Sequence, residues 1–188
     1  MEHVQITKEK IRFVFYGRIV KEKGIEASIE LIRKLTKNHY NVELNIFGQI
    51  DSNYLKKLNI DKDLNINYLG CIKPDSINEY KILHNYDIFI FPTEHEGEGL
   101  PGALIDAYIS GLCVVAADWI YAREYIRDEI TGVIFKYKDY NDLYARIVDL
   151  LDNVEKIDLY KKQALKESKK YRAKYIIPKE LLIGGKNE

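Results

Sequence analysis

Cysteine is scarce in this chain of 188 residues: Cys71 and Cys113 are the only two, far apart and in no CxxC pair. That is too few for a disulfide framework, so a reducing compartment, the cytoplasm, is the default expectation. Surplus charge is lacking as well. The 29 basic and 29 acidic side chains cancel, whereas a dedicated nucleic-acid binder carries a basic excess. No apolar run approaches the ~20 residues of a membrane-spanning helix. The opening MEHVQITKEK lacks the apolar core of a signal peptide. Neither GxxxxGK[ST] nor GxSxG occurs, which removes the P-loop and the serine nucleophile elbow. What is present is an ordinary globular composition, 46% apolar. The length suits one domain that buries roughly 70% of its unfolded surface. No internal repeat or low-complexity tract interrupts it.

Short β-rich runs alternate with longer amphipathic ones. Strands are predicted at 11–16 (IRFVFY), 42–47 (VELNIF), 66–69, 88–91 (IFIF), 113–117 and 132–135. Helices are predicted at 24–35, 53–58, 75–84, 101–110, 140–151 and 154–170. Asp75 and Ser76 stand where a cap belongs. Pro101 opens one helix and Gly111 follows its end, the expected asymmetry. The helix over 154–170 is strongly charged and reads as a surface element, and the tail 184–188 reads as frayed. Strands apolar on both faces, alternating with helices, give an α/β fold with a mostly parallel sheet. Ligands of such sheets bind at the carboxyl ends of the strands. The informative residues should therefore follow Tyr16, Phe47, Leu69, Phe91 and Ala117.

Two stretches answer to that description. After the first strand comes Gly17-Arg18-Ile-Val-Lys-Glu-Lys23-Gly24. Gly17 permits the turn, Gly24 starts a helix without crowding, and Arg18 and Lys23 can converge beside a helix N-terminus that favours anions. Two cations and a helix dipole make a diphosphate clamp that needs no metal; the plainer reading is a solvated loop. After the fourth strand comes PTEHEGEGLPGALID, ending at Asp106. Gly97 and Gly99 free the backbone so that the helix amides can face a ligand. Glu98 lies at the mouth and Asp106 about two turns along the helix. Two such acids can hydrogen-bond hydroxyls on different parts of one ligand.

Gly97-x-Gly99-x-x-Gly102 also satisfies GxGxxG, with Asp118 ending the next strand. The five residues PTEHE before the first glycine and the acidic flanks weigh against a dinucleotide site. His95 between two glutamates does not make a metal site, because three adjacent side chains cannot all face one ion. Fifteen tyrosines are unusually many, and none can be given a role from spacing.

In order along 11–151, the segments FVFYGRIVKEKG, LNIFG, INYLG, YDIFIFPT, EGLPGALIDAYISGLCVVAADW and ITGVIF resemble the C-terminal, donor-binding half of the GT4-like (group 1) glycosyltransferases of GT-B architecture. The resemblance implies a single Rossmann-like half of a GT-B fold, with a nucleotide-sugar-binding domain over 1–170 and a C-terminal tail over 171–188. It implies a nucleotide-diphosphate sugar as ligand, no cofactor, and metal-independent, retaining transfer in glycan or polysaccharide assembly. Arg18 and Lys23 are then the pair that stabilises the departing diphosphate, helped by Gly17 and by the backbone around Gly99, Leu100, Pro101, Gly102 and Ala103, although Pro101 has no N–H. The family's two acids, separated by seven residues, map onto Glu98, which would touch the sugar, and Asp106, which would bind the ribose. With a two-residue gap Glu96 takes the first place instead. Asp106 replaces the more usual Glu. Gly48, Cys71 and Ile72 resemble the lining of the base. The acceptor-binding N-terminal domain is missing from this sequence and would be supplied in cis or trans, with any contact to the inner membrane face made through that partner. A non-catalytic nucleotide-sugar-binding subunit, a truncated inactive fragment and a nucleotide-sugar epimerase are the alternatives.

Overall fold

The computed structural model describes residues 10–72 and 76–171. Six parallel strands form one sheet: β1 (Ile11–Tyr16), β2 (Val42–Phe47), β3 (Ile66–Tyr68), β4 (Ile88–Phe91), β5 (Cys113–Ala117) and β6 (Val133–Phe135). Their order in space is β3-β2-β1-β4-β5-β6. β1 pairs with β2 from Ile11↔Val42 to Tyr16↔Phe47 and with β4 at Phe13↔Ile88 and Val14↔Phe89. The helices are α1 (Ile25–Lys37), α2 (Ser52–Leu58), α3 (Ser76–Leu83), α4 (Gly102–Ile109), α5 (Ala122–Tyr125), α6 (Tyr140–Asp152) and α7 (Val154–Glu167). A 3-10 turn at Lys21–Lys23 precedes α1 and another at Ser168–Tyr171 follows α7.

Alternate strand residues feed two cores, one on each face of the sheet. Phe13, Phe15, Leu44 and Val115 pack with Ile29 and Ile32 of α1 and Ile147 of α6. Val14, Phe89, Val114 and Ile134 pack with Leu104 and Tyr108 of α4 and with Trp119. The central strands are buried on both faces, as their unbroken apolar runs predict. Cys113 is wholly buried within β5, where desolvation pushes its thiol up to about 12. It is an inert core residue, while Cys71 is exposed and also free.

The structure departs from the sequence reading in four places. α7 is not simply a surface helix: Ile157 and Tyr160 enter one core and Ala164 the other, so it bridges the two layers. Its α-helical part stops at Glu167, before the 3-10 turn. Pro101 is the N-cap of α4 rather than its first helical residue, with extended backbone at φ −77 and ψ 114. The four-residue α5 carries no periodic signal and was not foreseen. Asp75 and the tail beyond 171 lie outside the described residues.

Two glycines set how close the loops at the strand ends come. Gly24 has φ +73, and a Cβ built there would meet the Pro92 carbonyl oxygen at 1.9 Å. Gly48 has φ +151, and its Cβ would meet the Gly17 carbonyl oxygen at 1.7 Å. Both combine a conformation open mainly to glycine with a backbone contact that cannot yield. Gly24→Ala and Gly48→Ala should each destabilise the fold by more than about 1 kcal/mol, lowering the thermal midpoint by more than about 3 °C. Gly99→Ala is the control, since nothing lies within 4 Å of its added Cβ. Circular-dichroism melts of the three variants check this, and equal midpoints would show that the loop backbones can part without cost.

Candidate functional site

The strand order reverses between β1 and β4. The chain leaving β1 goes on to β2 on one side and the chain leaving β4 to β5 on the other, so a crevice opens between their carboxyl ends, where open α/β sheets bind ligands. The loop after β1 and the loop after β4 meet there. They are joined by the Glu94 N–H, which donates to the Glu22 carbonyl at 2.8 Å. The Thr93 hydroxyl lies 3.3 Å from that same carbonyl and 3.3 Å from a Glu98 carboxylate oxygen, and its single proton serves one or the other.

A hollow of about 210 Å³ sits at this junction. Tyr16, Gly17, Arg18, Lys23 and Glu98 line it, and Leu100, Pro101, Gly102 and Ala103 close its other side. Within it the Lys23 ammonium forms an ion pair with the Glu98 carboxylate, the two side chains being 18% and 12% exposed. Water screens such a pair weakly, and removing one partner strands the other in a poorly solvated place. The Lys23 nitrogen also lies 5.8 Å from the centroid of the Phe91 ring, within cation–π range. Arg18 is exposed at the rim. The first amides of α4, from Gly102 and Ala103, have no partner within the helix and open on the same hollow. The result is a small site with two cations, one carboxylate and a helix N-terminus.

A larger groove of about 740 Å³ lies on the other side of Arg18, against Ile50, Asp51 and Tyr54. Of its two acids, Asp51 is already committed, capping α2 by accepting from the amides of Asn53 and Tyr54 at 2.9 and 3.0 Å, while Glu22 is exposed to solvent. The part-buried ion pair and the start of α4 belong to the smaller hollow, and Arg18 is the residue the two share.

The remaining candidates fall elsewhere. Glu96 is exposed and outside the hollow. Gly48 donates its N–H to the Gly70 carbonyl at 2.9 Å and accepts from the Tyr68 hydroxyl at 3.0 Å, which makes it a packing residue beside the site. Cys71 and Ile72 follow β3, two strands from β1, with Cys71 exposed and Ile72 packed against the α4-side core. Asp106 faces α3 instead of the hollow: the Tyr80 hydroxyl donates to it at 3.3 Å, and beside it the Tyr16 hydroxyl donates to Glu79. Asp118, the acid of the GxGxxG reading, is held by Arg123 at 2.7 Å. Among the described residues no group of three or more His, Cys, Asp or Glu is placed to hold a metal ion, and no helix is long and apolar enough to cross a membrane.

A family model described as glycosyl transferases group 1 matches residues 1–167. The chain belongs to the group 1 glycosyltransferases. It is 31% identical over 113 residues to the capsular polysaccharide biosynthesis glycosyltransferase CapH of Staphylococcus aureus, a match covering 59% of this chain and 31% of that protein. It superposes with a TM-score of 0.74 on the C-terminal domain of the group 1 protein LpcC from Francisella tularensis, at 19% identity, covering 86% of each chain. It superposes equally, at 0.74 and 16% identity, on Anabaena HepE in complex with UDP-glucose, covering 86% of this chain and 44% of that one. The chain spans between 28% and 38% of the length of the curated relatives it matches.

Several residues of this group 1 domain that shape the site were not singled out from the sequence. Thr93 bridges the loops, and Tyr137 donates to the Glu94 carbonyl while Tyr140 donates to the Glu94 carboxylate. Trp119 donates its indole N–H to the Glu98 carbonyl at 2.9 Å. The one available signal was a lone tryptophan two residues past a predicted strand; the tyrosines are too numerous to carry one.

Burial, and then the neighbouring charge of Glu79, raise the Asp106 carboxyl to about 6, only partly offset by the Tyr80 hydrogen bond. The folded protein therefore holds the proton more tightly than the unfolded chain does. The destabilisation is absent below about pH 4, grows as pH rises, and is complete above about pH 6. Asp106→Asn should raise the thermal midpoint at pH 7.5, with the gain shrinking toward zero at pH 4. Melts of both proteins across that range test the sign, and a gain independent of pH would contradict it.

Proposed function

We propose that this group 1 domain binds a nucleotide-diphosphate sugar and serves retaining transfer of the sugar in polysaccharide assembly, with an acceptor-binding domain supplied in cis or trans. The observation that carries the reading is the part-buried Lys23–Glu98 pair at the N-terminus of α4 beside the exposed Arg18. When the anomeric C–O bond of a donor breaks, its electron pair stays on the diphosphate, and negative charge grows there. Fixed cations and helix amides aimed at that point stabilise the transition state more than the ground state, with no reorganisation at the moment of reaction. Arg18, Lys23 and the amides of Gly102 and Ala103 take this part, and no metal is required. Glu98 bears the wrong charge for the diphosphate, so its part is to accept hydrogen bonds from sugar hydroxyls. Asp106, held toward α3 by the Tyr80 hydroxyl, would have to turn from it to reach a ribose and is given no part in the clamp. Support from outside the chain comes from CapH, a glycosyltransferase of capsular polysaccharide biosynthesis, and from the UDP-glucose bound to HepE.

Calorimetric titration with UDP, GDP, ADP, their common sugar conjugates and NAD tests this reading, without added metal. One nucleoside diphosphate should bind, and one of its sugar conjugates should bind more tightly. Arg18→Ala and Lys23→Ala should each weaken that binding at least about tenfold, since each removes a charge-assisted hydrogen bond. Glu98→Gln should leave the nucleoside diphosphate affinity near wild type and abolish the advantage of the sugar. Unchanged affinity in both cation variants would sink the clamp, and NAD binding would return the GxGxxG motif to the argument.

A further inference from the structure

The chain has one tryptophan, and it sits directly behind the ion pair. Trp119 follows the end of β5 and is only 2% exposed. Its indole N–H donates to the Glu98 carbonyl at 2.9 Å. Its ring meets the Phe91 ring edge-on, with centroids 5.5 Å apart. Phe91 in turn lies under the Lys23 ammonium. One rigid side chain is therefore linked to both halves of the pair, to Glu98 through its backbone carbonyl and to Lys23 through the intervening Phe91 ring.

The glutamate needs such a support. Its loop runs through Gly97 and Gly99, where an added Cβ would meet nothing within 4 Å except His95 of the same loop, and glycine leaves a backbone many conformations. At the start of the loop, bonds from Thr93 and Tyr137 hold residues 93 and 94. At Glu98 the bonds from outside the loop are those of Lys23 and Trp119 among the described residues. The indole bond leaves the carboxylate free for a ligand, whereas Lys23 occupies it.

We propose that Trp119 is a positioning residue of the site, fixing the Glu98 carboxylate against Lys23 so that it meets a sugar hydroxyl when a donor enters. This rests on the donor-binding reading above for the ligand, although not for the pairing. The indole touches no reacting atom and acts through Glu98. A buried, well-aligned N–H to a backbone carbonyl holds a glycine-flanked residue that would otherwise sample several positions, and ordering it in advance removes that loss from binding.

The test uses the isolation of Trp119 in the sequence. Growth of a tryptophan auxotroph on β-(3-benzothienyl)alanine replaces this residue alone with an isostere that has sulfur in place of the N–H, and Trp119→Phe serves as a genetic counterpart. Affinities for UDP and UDP-glucose are compared by calorimetry. The extra affinity that glucose confers should fall five- to tenfold in both variants, with UDP binding within twofold of wild type. An unaltered glucose contribution overturns the proposal, and so does an equal loss for both ligands, which marks a purely structural residue. If the wild type binds neither, the comparison is made with whichever nucleoside diphosphate and sugar conjugate bind in the titration above; if none of them binds, the donor reading is the part that fails, and a ligand-free measurement decides the positioning role. The 15N ammonium signal of Lys23, assigned by its loss in Glu98→Gln, should be slowed in exchange in the wild type and broadened away in the isostere. A signal that persists unchanged overturns the proposal.

Discussion

The site depends on how closely two backbones approach at the point where the sheet order reverses. Gly24 lies so near the Pro92 carbonyl that no side chain fits between them. That contact brings the turn Lys21–Lys23 under the loop after β4 and lets Glu94 bond to Glu22. With the loops in this relation, the Lys23 ammonium reaches the Glu98 carboxylate as a matter of geometry. A looser approach would leave both charges in water, where an ion pair contributes little.

Partial burial then gives the pair its chemical character. Each charge is costly to strip of water alone, so each is held by the other until something of suitable charge replaces it. Lys23 suits an incoming phosphate and Glu98 a hydroxyl. A ligand that carries both, a few ångströms apart, can relieve the two together, which is the property that makes a nucleotide sugar the natural reading. The same logic works in the opposite sense at Asp106, which lies near another acid, Glu79, and accepts a hydrogen bond from the Tyr80 hydroxyl. There the carboxyl holds its proton unusually tightly.

The strands were legible because strand residues buried on both faces must be apolar in an unbroken run, as are FVF within IRFVFY (whose Arg12 is exposed), IFIF and CVVAA. α1 and α6 were legible from their periodic apolar stripes. α7 was misjudged because its many lysines obscure Ile157, Tyr160 and Ala164, whose helical spacing carries the buried face. α5 has too few residues for a period to show. At the site, Arg18, Lys23 and Glu98 could be read because glycine-marked loops at strand ends identify themselves. The neighbours of Asp106 could not: Tyr16, Glu79 and Tyr80 come from β1 and α3, and no local pattern links them to α4.

The amino-acid sequence by itself determined the α/β class, the parallel order of apolar strands and the loops that carry the polar residues, because these follow from local periodicity and from where glycine interrupts it. The tertiary structure alone decided which of those polar residues meet. It set Glu98 rather than Glu96 against Lys23, turned Asp106 toward α3, and brought Trp119 beneath a loop 21 positions earlier in the chain. Contacts of this kind depend on the register of β1 against β4 and the packing of α4 on the sheet, and side-chain identity in one segment holds no information about the distance to another.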